Sequence, residues 1–159
     1  MKTFTDSAGK TWTLSLTIDS AKRVKGLLDV NLLDLTGGEP PLLTRLGADV
    51  ILLCDVLYAM VKPQADAAGV TDEQFGAALG GEAILAAQTA FYEELMDFFR
   101  KAGHGEVAKA VETQRRMIDM TVQRIETRIE HLDIETLLDA ALGKSSTNWP
   151  ASPESTPDP

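Results

Sequence analysis

A chain of 159 residues and 17.2 kDa has room for one domain with a real core and not for two comfortable ones. With 44% apolar and 25% charged residues, its composition is that of an ordinary globular protein, which excludes wholesale disorder. The net charge of −9 is concentrated in residues 31–99, where Arg45 and Lys62 face eleven acids; such a middle repels phosphate backbones and argues against nucleic acid as a partner.

Thr3–Thr5 and Thr11–Leu16 bracket DSAGK, a turn segment with Gly9 free to take positive φ. Trp12, Leu14 and Leu16 alternate with Thr11, Thr13, Ser15 and Thr17, the period-two pattern of a strand with one buried face. This predicts a β-hairpin packed against the next helix. That helix is expected to be capped by Asp19 or Ser20 and to run over 21–28, with Val24, Leu27 and Leu28 inward. Lys22, Arg23 and Lys25 on it read as a solvated face. Residues 29–35 (DVNLLDL) fit either a short strand or a helical turn, and TGGEPP at 36–41 breaks what precedes it.

Helical patterning resumes over 42–46, and a stronger helix follows Asp49 through Val61, with Pro63 expected to close it. Thr71 and Gln74 form a capping box ahead of Phe75, Ala78 and Leu79. A long helix is predicted over 82–102, then a break at Gly103-His104-Gly105. A second follows over 106–132, with Val107, Val111, Met117, Ile118, Val122, Ile125, Ile129 and Leu132 at spacings of three and four. The short connection makes these two an antiparallel hairpin with Val111, Ile118, Ile125 and Ile129 inside. Asp133 is placed as the cap of a last helix ending near Leu142. The expected fold is mainly α: an N-terminal β-hairpin, then a helical bundle containing the long antiparallel pair. One domain is assigned to residues 1–143, and 144–159, rich in Pro and Ser, to a disordered tail.

Chemistry-bearing motifs are scarce. There are two histidines, His104 and His131, and one cysteine, Cys54, in an apolar run where an inert thiol is expected. Gly143-Lys144-Ser145 resembles the end of a phosphate loop, but Leu138 stands where that loop needs glycine. Glu93, Glu94 and Asp97 share a helical turn without the Glu-x-x-His pairs of a di-iron site, so they read as a solvated acidic face. No catalytic residue, metal site or cofactor is assigned, and the chain is read as a non-enzyme. One cysteine, no secretory apolar opening and no membrane-length apolar run lead to the expectation of a cytoplasmic chain.

Such a chain works through surfaces, and two apolar helix segments carry more apolar residues than one core contact needs. They contribute Ile51, Leu52, Val56 and Met60, and Phe91, Tyr92, Phe98 and Phe99; each admits core packing or a partner patch. Trp149, alone among Pro and Ser, reads as a linear binding motif.

Several segments, taken in order, resemble one family. The opening FTDSAGKTWTLSLTIDSAKRVK (4–25), LLDL (32–35) before the Gly/Pro break, and LLCDVLYAMVKPQADAAGVTDEQFGAALGG (52–81), above all GVTDEQF, are similar to tail assembly chaperones of long-tailed bacteriophages. The resemblance covers about residues 3–130. It implies a non-enzymatic protein of the bacterial host cytoplasm, absent from the finished particle. Such a protein coats the long apolar helices of the tape measure protein until tail tube subunits polymerise around them. The implied partner is therefore the tape measure protein, with the tail tube protein as a further one; self-association stays open, and neither nucleic acid nor membrane is expected. A Pro/Ser-rich end suits the shorter of the two frameshift-related forms that many members of the family have. The alternative is a structural or adaptor protein of the particle, such as a head–tail connector component.

Overall fold

The computed structural model describes residues 1–138. Contacts divide the chain into one compact unit over Met1–Ile118 and a second from Asp119. The expectations for residues 139–159, including the helix end near Leu142 and the Trp149 motif, fall outside the described residues.

The mainly α fold with an N-terminal hairpin is present. Strand β1 (Lys2–Thr5) pairs antiparallel with β2 (Thr11–Leu14), setting Phe4 opposite Trp12. This register gathers Phe4, Trp12 and Leu14 on one buried face, with Leu16 buried just beyond. Asp6 holds the turn: Oδ1 accepts from the backbone N–H of Ala8 and Lys10 at 3.0 and 2.9 Å, and Oδ2 from Trp12 Nε1 at 2.8 Å. Gly9, at φ +84°, supplies the left-handed residue this closure needs.

Helix α1 (Ile18–Leu28) starts earlier than expected. Its cap is Thr17, whose side chain accepts from the Ser20 N–H while the Ser20 hydroxyl accepts from the Thr17 N–H. The hairpin does not pack on α1. It lies on α5 (Glu82–Lys101) and α3 (Val50–Ala68), and α1 packs on α3. Ala83, Ala87 and Ala90, small and buried, recur on α5 at the helical spacing that leads to Glu94 and Asp97, the side chains holding the hairpin, whereas Leu27 of α1 is 53% exposed rather than inward. Residues 29–41 form turns that still bury Val30, Leu32 and Leu35. Helix α2 (Leu42–Ala48) then leads into α3, which is capped by Asp49 through the Leu52 N–H.

Pro63 does not end α3 but sits inside it. A proline there leaves the carbonyl four residues back without its N–H donor. Arg23 of α1 supplies one: Nη1 donates to the carbonyls of Ala59 and Met60 at 3.3 and 3.0 Å, while Nη2 pairs with Asp19 Oδ2 at 2.6 Å. Arg23 is therefore a structural donor, not part of a solvated basic face. One turn on, Gln64 pairs its amide with both backbone groups of Thr13, at 3.0 and 2.7 Å, and so closes the open edge of β2.

Helix α4 (Asp72–Ala77) carries the expected Thr71–Gln74 capping box. Its one buried side chain, Phe75, meets Trp12 edge-on at 5.2 Å and Tyr58 at 5.4 Å. Helix α6 (Gly105–Leu138) follows α5 after a tight turn closed by His104 N–H to Phe99 O, 2.8 Å. The first part of α6 returns along α5, with Arg115 Nη1 3.1 Å from Glu93 Oε1 and Ala108 and Val111 in the shared core. The break expected at Asp133 is absent, since α6 runs on to Leu138. The Gln114 amide of α6 lies against Gly47 of α2, where a Cβ would meet it.

The acidic group on α5 is a set of ion pairs rather than a solvated face. Glu94 is only 5% exposed; its Oε1 accepts from the Leu16 N–H at 3.0 Å and its Oε2 lies 2.6 Å from the Met1 amino group. Asp97 pairs with Lys2 at 3.1 Å and Arg100 at 3.6 Å, and the Lys2 hydrogen bond holds its carboxyl below the usual range. Together these tie β1 to α5.

Candidate partner-binding surface

The two apolar segments proposed for a partner separate by burial. Val56 and Met60 of α3 and Phe91, Tyr92 and Phe99 of α5 are core residues and present no surface; this corrects their assignment to a partner patch. The reason is that both helices are packed on more than one side: α3 touches α1, α2, α4, α5 and β2, and α5 touches α3 and both strands. A wide apolar arc on each is consumed within the fold. Leu52 and Phe98 are half-buried against the same core. Ile51 alone stands out, 76% exposed at the start of α3, beside Val50 at 52%.

The surroundings of that apolar tip are acidic. Partial burial raises the Asp55 carboxyl above its usual range, and the charges of Asp72 and Asp49 add to the shift. Burial likewise pushes the Cys54 thiol up, reinforced by Asp55 and Asp72, which makes it a poor thiolate nucleophile. Val50 and Ile51 thus project from a helix start edged by Asp49, Asp55 and Asp72.

Tyr92 marks a cost inside the core. Burial pushes its phenol up to about 12, and its hydroxyl has no hydrogen-bond partner among the described residues. We expect Tyr92→Phe to raise stability by about 1 kcal/mol, because it removes a buried polar group and keeps the ring packing. Urea unfolding measures this; a variant less stable than the parent would mean that the hydroxyl is satisfied. The sign with pH follows. A folded-state value above the unfolded one leaves the parent's stability intact below about pH 10 and erodes it toward 12, an erosion the Phe variant lacks.

Sequence reasoning missed other exposed apolar residues. Met117, Met120 and Ile125 of α6 are 58%, 52% and 51% exposed, and Leu137 and Leu138 are exposed too. Periodicity places Ile125 inside with Val111 and Ile118. Val111 is buried and Ile118 partly so, whereas Ile125 lies past the end of the first unit and is exposed. The side chain of Ile129 lies outside the description, as does that of His131. His104 is an exposed loop residue, Nδ1 3.3 Å from Glu106 Oε1.

Among the described residues no three of His, Cys, Asp and Glu converge to hold a metal ion, and no helix is long and apolar enough to cross a membrane. No protein-family model, curated protein or solved structure matches the chain.

Proposed function

We propose that this chain is a tail assembly chaperone of a long-tailed bacteriophage. In this reading it binds apolar helical segments of the tape measure protein and keeps them in solution during tail morphogenesis. The observation that supports it is the ordered run of segments resembling that family between residues 3 and 130, with GVTDEQF at 69–75 the most telling. The apolar tip at Val50 and Ile51, with Asp49, Asp55 and Asp72 around it, supports a partner helix whose apolar stripe is flanked by Lys or Arg. A net charge of −9 would also keep loaded complexes apart by mutual repulsion.

Association should rest mainly on apolar burial. Co-purification with the tape measure protein from induced cells is therefore expected to persist when salt is raised well past the point that screens surface ion pairs. Mass spectrometry of purified virions should find the chain absent. Its presence in virions without salt-stable co-purification would replace the chaperone by the adaptor reading.

A further inference from the structure

We propose that α6 from Ile118 onward pairs in parallel with the same segment of a second copy of this chain. Two residue rows, each repeating every seven positions, alternate along α6 at spacings of three and four. One holds Ala108, Arg115, Val122 and Ile129; the other holds Val111, Ile118, Ile125 and Leu132. Within the first unit this seam is in use: Ala108 and Val111 are buried, Ile118 packs against the same core, and Arg115 pairs with Glu93. The rows do not stop where that unit stops. They continue with Val122, Ile125, Ile129 and Leu132, and Ile125 is 51% exposed. A helix in water with such a stripe is marginal alone and gains stability by inserting the stripe into a like helix.

Charge selects both the occupant and its direction. The positions flanking the seam on one side are Asp119, Glu126 and Asp133, all acidic; on the other side stand Thr121, Arg128 and Glu135. An antiparallel pair would set the acidic row against itself. A parallel pair sets Arg128 opposite Asp133 of the second copy and Thr121 opposite its Glu126, and both contacts occur twice by symmetry. This pairing stands independently of the chaperone reading, since the seam is complete in the chain itself.

Sedimentation equilibrium of the full chain over a dilution series tests it, with a thermal melt of each variant to confirm folding. A concentration-dependent dimer is expected, weakened about tenfold or more by Ile125→Lys and by Arg128→Glu. Asp133→Arg alone should also weaken it, and combining it with Arg128→Glu should restore it. A monomer at every concentration, a dimer indifferent to Ile125→Lys, or a dimer tightened by Asp133→Arg alone would each overturn the proposal, the last by showing an antiparallel pair.

Discussion

Trp12→Ala is expected to destabilise the protein by about 3–5 kcal/mol, a large share of the roughly 5–15 kcal/mol that holds a domain folded. Trp12 is fully buried at the junction of the hairpin with α3, α4 and α5, edge-on to Phe75, and donates its indole N–H to Asp6. Truncation would empty that junction and leave one carboxylate oxygen of the turn without its partner. Trp12→Phe separates the two losses: it keeps much of the ring contact and removes only the hydrogen bond, so it should cost about 1–2 kcal/mol. Urea unfolding followed by circular dichroism measures both. A loss below about 1 kcal/mol for the Ala variant would mean that the hairpin is an appendage rather than part of the core.

The second large effect concerns Arg23. We expect Arg23→Ala to cost about 2–3 kcal/mol, because it strips the donor from the Ala59 carbonyl that Pro63 leaves unserved. With Pro63→Ala in place, residue 63 has an N–H to give, and the same Arg23 change should cost about 1 kcal/mol less. That non-additivity is the signature of the compensation. Strict additivity would reduce Arg23 to its pair with Asp19 at the surface.

These two sites also show what could be read from residues alone. The hairpin was legible because Trp12, Leu14 and Leu16 alternate with threonines, and the α4 start because Thr71 and Gln74 complete a local box. Both signals span a few residues, so local physics decides them. Pro63 was misread because its local preference ends a helix, and only a guanidinium forty positions earlier makes the helix tolerable there. The hairpin's seat was misread for a related reason: the side chains that hold it, Glu94 and Asp97, lie on α5, far along the chain. The candidate surface was the least legible part. An apolar residue on a helix faces the core or a partner according to how many neighbours that helix has, and periodicity does not count neighbours. Phe91 and Tyr92 were therefore core, while Ile125, carrying the same seam past the end of the first unit, was exposed.

The most direct measurement is the solubility of the tape measure protein co-expressed with this chain. Tape measure protein is expected to stay soluble with the parent chain and to aggregate without it. Ile51→Lys should impair that protection while leaving the melting temperature of the chain unchanged, because the side chain is 76% exposed and contributes little to the fold. A tape measure protein whose solubility is the same with and without this chain would contradict the account.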